Sequence, residues 1–428
     1  MNRPDRPAVA SSRVTPAVVV GLDNITGLQT ARLLADRGVP VVGIAADRQH
    51  FGARTNACAE TIECDLSGDE LMATLDGLAS RLNRPSVLLP CTDGTVSLLS
   101  RRRDELADLF RLPLASHDVV DLLMDKVRFA HHAHADGLSI PRTEVLESRL
   151  DAEQAALSLQ FPCVLKPPVK SVVWRRHTSA KGFPVSDAED FIRVYDEIAP
   201  WSPLLLAQEW VDGDEDGLFS CNAYFDQRGQ PLVTFVARKL RQWPPQVGTS
   251  ASGEECRNDE ILAETLRLFG GVGFHGLAYL EMKLDRRTGQ LVIIEPNVGR
   301  PTGRSAIAEA GGVELVYTAY CDAAGLPLPA AREQRYVGTK WLDLRRDIQA
   351  AVVAHRHGDL SFGEWVTSVR GPKAHAIWSR RDPLPFVVDL AHAFREGGRM
   401  LTARWSRGPV SAQPTADSEI HERAGDVT

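Results

Sequence analysis

Apolar and polar positions along the chain fall into short strand-like runs between helical stretches, and one run organises the rest. From His275 to Arg304 the sequence reads HGLAYLEMKLDRRTGQLVIIEPNVGRPTGR. Leu277–Leu284 carries apolar residues around a charged pair, Asp285–Gly289 has the composition of a turn, and Leu291–Ile294 is a continuous apolar run. Antiparallel pairing through that turn predicts Glu281 and Glu295 side by side, facing the same way. Asn297, two residues on, shares the face of Glu295. Two carboxylates and an amide converging on one spot are hard oxygen donors that suit Mg²⁺ holding a polyphosphate. Surface hairpins also carry acids, but Glu295 directly follows an apolar run that should be buried, where an unpaired charge is costly.

Upstream, Pro16–Ile44 reads as strand (Ala17–Val20), glycine turn (Gly21–Gly27), helix (Leu28–Arg37) and strand (Val39–Ile44). Such a βαβ unit predicts a parallel sheet with a Rossmann-like crossover. Only Gly21 and Gly27 of a dinucleotide fingerprint are present, and Asp47 is a weak match for its acid. A further strand, Val87–Leu89, ends in a polar loop. Asn24, Thr26, Thr92 and Asp93 would therefore line a small-molecule site at the strand ends; alternatively, Thr92 and Asp93 merely cap the helix beginning near Val96. His117–Leu138 is predicted helical and carries Lys126; His131, His132 and His134 do not point one way on a helix and read as solvated surface. Phe161–Lys166 is a strand ending in a lysine that invites an anionic partner. The following loop, Pro167–Pro184, is basic, with Lys170, Arg175, Arg176 and Lys181. Strands are predicted at Leu204–Trp210, Phe219–Phe225 and Leu232–Leu240, and helices at Asp259–Phe269 and Ser305–Ala323. Farther on, Tyr336–Leu342 resembles a strand. Leu390–Leu401 is amphipathic and suits core packing, a dimer surface or a membrane-surface contact, with packing as the default.

Composition adds bounds. The 428 residues suggest roughly two to four structural domains. A net charge of −7 argues against a nucleic-acid surface built on bulk positive charge, while leaving room for a local basic pocket. No apolar run approaches the roughly 18 residues of a membrane span. Seven dispersed cysteines read as buried small hydrophobes in a reducing cytoplasm. Residues 1–15 and 407–428 have the composition of a disordered lead and tail.

Lys126, Lys166, the QEWV–DGDE segment beginning at Gln208, Lys239, Glu281, Glu295 and Asn297 together resemble the ATP-grasp superfamily. The nearest subgroup is the carboxylate–amine ligases, loosely of the D-aspartate ligase type, and the resemblance covers about Val18–Pro329. It implies an α/β protein with an α+β core. A Rossmann-like preATP-grasp domain (16–116) would precede a two-part ATP-grasp fold, divided into a lid half (117–205) and a large half with the Mg-ATP site (206–332). A small C-terminal extension (333–406), outside the shared core, would follow.

The resemblance also implies roles. Lys126, Lys166 and Lys181 would contact ATP phosphates from the lid half, and Lys239, sharing the work with Arg238, from the other. Gln208, Glu209 and Val211 match the hinge strand that reads the adenine edge, and Glu215 the carboxylate that accepts from the ribose hydroxyls. Glu281, Glu295 and Asn297 match the magnesium ligands. Arg300 matches an arginine that stabilises an acyl phosphate, although it lies one position later than usual. The phosphate-covering loop has fewer Gly and Ser than usual and is long, basic and tryptophan-bearing, which suits a ligand extending beyond ATP.

The implied reaction is attack of a carboxylate on the γ-phosphate, giving an acyl phosphate and ADP, followed by displacement of phosphate by an amine. It needs positioning and charge neutralisation rather than a side-chain nucleophile. Expected partners are a small carboxylate and an amine, with an amino acid a candidate for the latter. No nucleic acid or integral membrane segment is expected, and a homodimer is admitted. Rival readings are a carboxylase-type or thiol ligase on the same fold, a nicotinamide-dependent oxidoreductase, and a non-catalytic ATP-binding regulator.

Overall fold

A computed structural model describes residues 14–245 and 248–406, with side chains through residue 395. The tail 407–428 and nearly all of the lead 1–15 lie outside the described residues. Three sheets build the molecule. The first is parallel, in the order Glu60–Glu63, Val41–Ala45, Ala17–Val20, Ser86–Pro90, Phe110–Arg111. Its central strand is fully buried because helices cover both faces. Ala17 and Val19 pack with Leu34 and Tyr320 on one side, and Val18 and Val20 with Leu75 and Leu99 on the other. Asn24 closes the glycine turn by itself: its Nδ2 donates to Gly21 O at 2.7 Å and its Oδ1 accepts from Gly27 N at 2.9 Å. A first-turn N–H that a bound pyrophosphate would use is thus already taken.

The second sheet is antiparallel, in the order Thr143–Leu146, Leu205–Glu209, Cys163–Lys166, Phe183–Val185. Leu205–Glu209 lies inside this lid sheet, paired on both edges, so the expected division at 205/206 cuts through a structural unit. Local pattern cannot reveal such pairing, because the partner strands lie far away in sequence. The basic loop is not without secondary structure. It contains the helix Val172–His177, anchored by a fully buried Trp174 whose Nε1 donates to Ala180 O at 3.0 Å.

The third sheet has seven strands, in the order Leu291–Val298, Gly276–Leu284, Leu218–Phe225, Pro231–Trp243, Thr249–Glu255, Lys340–Leu342, Lys373–His375. Thr249–Glu255 escaped the sequence reading because TSASGEE has little apolar content. Its last two strands come from the segment expected to lie outside the shared core. That segment is built into the sheet and fixed at two places. Asp347, fully buried, accepts from Arg241 Nε at 2.7 Å, Ser252 Oγ at 2.6 Å and Trp365 Nε1 at 2.9 Å. Asp382 accepts from Arg32 Nε at 2.9 Å, Asn56 N at 3.0 Å and the Thr55 hydroxyl, all on the N-terminal domain.

Two expected helices are divided. Asp125 ends His117–Met124 and caps Lys126–Ala135, its Oδ1 accepting from Val127 N and Arg128 N at 2.9 Å each. Gly311 and Gly312 separate Ala306–Ala310 from Leu315–Ala324. Among the described residues no helix is long and apolar enough to cross a membrane.

Removing one member of a buried pair costs about 3 kcal/mol. Asp382→Ala is therefore expected to lower the local opening free energy of residues 373–395 by that amount, read by native-state hydrogen exchange. Unchanged exchange there would remove the clamp.

Candidate active site

The register of the organising hairpin sets Glu281 directly opposite Glu295, with a bulge immediately after the pair. On the next strand Ser220 faces Glu281, and Ala237 faces Ser220; Lys239, two residues on, shares their side. Leu280, Met282 and Ile293 fall on the opposite side, in the core. Glu295 opens to solvent, yet surrounding protein and then the charge of Glu281 push its pKa up, against the pull of Lys126 and Lys181. Two acids held this way favour a cation between them.

Arg304 supplies part of that positive charge, and the sequence reading missed it. Its Nη2 donates to Glu281 Oε1 at 3.3 Å and Ser220 Oγ at 3.1 Å, and its Nη1 to Ser250 Oγ at 2.5 Å. Lys239, also buried, donates to Gln242 Oε1 at 2.9 Å, while Gln242 N donates to Glu215 Oε2 at 2.9 Å. Burial pushes the Lys239 pKa down, opposed by the charges of Glu281 and Glu215.

The lid half brings the other lysines. Lys166 Nζ donates to Gln208 Oε1 at 2.6 Å, and Gln208 Nε2 to Thr143 Oγ1 at 3.0 Å. Burial, reinforced by the charge of Lys126, pushes Lys166 down to about 8. Lys126 Nζ reaches Pro168 O at 3.0 Å, so it spans from its helix to the start of the basic loop. Lys126 and Lys181 both act on Glu295, and Lys181 also acts on Lys239. Lys126, Lys166, Lys181, Lys239, Glu215, Glu281 and Glu295 thus surround one cleft between the lid and the seven-stranded sheet.

Other expected residues lie elsewhere. Arg238 is corrected: strand alternation turns it to the face opposite Lys239, where Nε and Nη2 grip Glu254 Oε1 at 2.8 and 2.6 Å. Glu209 likewise points away from Gln208, its Oε1 accepting from Gln160 N at 2.8 Å and its N–H donating to Arg142 O at 2.9 Å, so its side chain is not turned to an adenine edge. The Val211 carbonyl accepts from Lys283 Nζ at 3.0 Å. Asn297 turns its Nδ2 to Glu295 at 3.4 Å and its Oδ1 to Arg300 Nη2 at 3.0 Å, leaving the two glutamates as the oxygens most open to a metal. In the N-terminal loop the capping reading holds for Thr92, and Asp93 has a protein partner instead. Thr92 Oγ1 caps the helix Asp93–Arg101 by accepting from Thr95 N at 3.1 Å, while Asp93 Oδ1 accepts from Arg300 Nε at 2.5 Å.

Outside the cleft, His131 and His134 are exposed, and among the described residues no group of three or more His, Cys, Asp or Glu could hold a metal. The cysteines are buried or half-buried free thiols, and burial pushes Cys91 up to about 12.

No family model matches the chain. D-aspartate ligase of Enterococcus faecium (strain Aus0004) is 24% identical over 229 residues, covering 51% of this chain and 54% of that protein. D-alanine–D-alanine ligase of Ectopseudomonas mendocina (strain ymp) is 28% identical over 189 residues, covering 41% and 55%. The chain therefore spans about half the length of these curated relatives. Among solved structures, N5-carboxyaminoimidazole synthetase from Staphylococcus aureus superposes with a TM-score of 0.60 at 14% identity, covering 75% of this chain and 80% of that one. The biotin carboxylase domain of the Hydrogenobacter thermophilus 2-oxoglutarate carboxylase, in complex with MgADP, gives 0.58 at 15% identity over 75% and 72%. A parallel N-terminal sheet followed by a lid sheet and a larger, mainly antiparallel sheet is the ATP-grasp architecture. The chain thus shares the ATP-grasp fold with these structures, and in sequence it is similar to the two curated ligases over about half their length.

A carboxylate whose pKa is raised on folding loses stability for the protein as pH rises through the carboxylate range. Glu295→Gln removes that cost, and at pH 7 without ligand it is expected to raise the melting temperature by about 2 °C. Added Mg²⁺ should stabilise the native protein and leave the variant unmoved in a thermal scan. Equal response of both proteins would remove Glu295 from a metal site.

Proposed function

We propose that the chain is an ATP- and Mg²⁺-dependent ligase joining a carboxylate to an amine through an acyl phosphate, with release of ADP and phosphate. The observation that carries this reading is the group of four lysines acting on the Glu281/Glu295 pair, Lys166 and Lys239 from strands of two different sheets, Lys126 from a helix and Lys181 from the basic loop. The names of the curated relatives support an amino acid among the substrates, and the MgADP complex of a structural neighbour supports the nucleotide and the metal. The setting inferred is cytoplasmic, and a homodimer is compatible with it.

The donor set fits Mg²⁺: two carboxylates held together, one of them with a raised pKa, are hard oxygen ligands whose repulsion a divalent cation relieves. Asn297 is the third candidate donor. When bound, the metal neutralises charge on the ATP phosphates. Around it, Lys126, Lys166 and Lys181 would hold the phosphates from the lid, and Lys239 from the large sheet. Glu215 would accept from the ribose, and the backbone near Glu209 and Val211 would meet the adenine edge. Arg300, steadied by Asp93, Tyr279 and Asn297, would stabilise the acyl phosphate as the amine arrives. Closure of the basic lid would keep water from that intermediate.

The test is nucleotide product analysis with ATP, Mg²⁺ and pooled amino acids and small carboxylates. Pool-dependent ADP and phosphate are expected, reduced at least about 10²-fold in Glu295→Ala. AMP and pyrophosphate would contradict the mechanism. A second expectation concerns pH. A lysine with a pKa of about 8 carries its charge below that value and loses it above. Apparent ATP affinity, measured by calorimetry, should weaken about tenfold between pH 7 and 9 as the protonated fraction falls. Lys166→Arg should flatten the profile, and an identical fall in that variant would put the titration elsewhere.

A further inference from the structure

The C-terminal helix Leu384–Ser406 presents an apolar face outward. Its inner side packs through its first turns: Phe386 meets Trp378 with ring centroids 5.4 Å apart, and buried Asp389 accepts from Arg345 Nε at 3.1 Å. Leu384, Val387, Ala391 and Phe394 are exposed instead, and Phe394 retains 78% of its accessible surface. Their spacing of three, four and three residues keeps them on one helical face. The same spacing in the sequence reaches Gly398, Leu401 and Trp405. On the neighbouring helix Leu344–His357, Leu344, Ile348 and Val352 are exposed at intervals of four.

Charge on these elements is sorted by side. Asp343, Asp347, Asp382 and Asp389 are all buried. Arg356, Arg380 and Arg395 are exposed, as is Arg381, which pairs with Asp36 at 3.7 Å. Beyond Arg395 the sequence adds Arg399 and Arg404 against a single acid, Glu396. An apolar face flanked by cations repels a second copy of itself, since the flanking charges would meet like charges. It complements a surface that offers both negative charge and an apolar interior.

We infer that the outer face of this helix docks the protein onto anionic membranes, with Leu384, Val387 and Phe394 entering the acyl boundary and the arginines meeting lipid phosphates. The contact is peripheral and independent of the ligase reading.

The test is cosedimentation of the full chain with vesicles of phosphatidylcholine alone or with about one-third phosphatidylglycerol. Binding is expected to the anionic vesicles only, to weaken in high salt, and to fall at least about tenfold in Val387→Asp/Phe394→Asp and in Arg380→Glu/Arg395→Glu. Matching thermal melts of the variants and native protein establish that folding is intact. Absence of binding to anionic vesicles would overturn the inference, as would equal binding by both variants. A dimer in sedimentation velocity that Phe394→Asp splits, with no vesicle binding, would overturn it too and make the face a self-interface.

Discussion

Glu281 and Glu295 cannot escape one another. The hairpin register holds them side by side on one face, and core side chains on the other face lock that register, because a slip of one residue would expose Leu280, Met282 and Ile293. The repulsion this creates is answered locally by Arg304 and at longer range by the lysines. Around the cleft, five cations (Lys126, Lys166, Lys181, Lys239 and Arg304) face three carboxylates (Glu215, Glu281 and Glu295). Such a site attracts a polyanion through its surplus positive charge and a divalent cation through its paired acids. A metal-bound polyphosphate satisfies both demands at once.

The positions of the lysines follow from the same economy. Lys166 and Lys239 are largely removed from water, and burial depresses both pKa values. In the described structure their ammonium groups rest on neutral amides, Gln208 and Gln242, rather than on carboxylates. A neutral partner satisfies a donor without cancelling its charge, so the charge remains available to an incoming anion. Arg238 shows the contrast. It sits one residue from Lys239, but its guanidinium is committed to Glu254 on the far face.

Much of this was legible locally. Period-two alternation and a polar turn located the hairpin, and a lysine closing an apolar strand marked Lys166. Arg304 was not legible, since its role depends on Ser220 and Ser250 arriving from other strands. The polar strand Thr249–Glu255 carries no apolar signal, and without it the C-terminal segment had nothing to pair with in a sequence reading. Arg238 was recoverable, because adjacent residues on a strand face opposite ways. Its misassignment came from following a family pattern past that rule.

Arg300 joins the hairpin to the N-terminal domain. Gly299 adopts a φ of +74°, and a Cβ there would lie 2.5 Å from Leu114 and 2.6 Å from Val96, so only glycine fits. The chain turns at that point, and Arg300 lands between Asn297 and Tyr279 of its own sheet and Asp93 at the carboxyl end of the parallel sheet. Its extra residue of separation from Asn297 therefore accompanies a turn toward the N-terminal domain. If Arg300 acts on the acyl phosphate as proposed, its aim depends on Asp93. The N-terminal domain would then bear on the chemical step. Asp93 and Arg300 can do this only while the two domains stay in register. Asp382, by clamping the C-terminal segment of the large sheet to Arg32 and Asn56 of that domain, is one of the contacts that keeps them there.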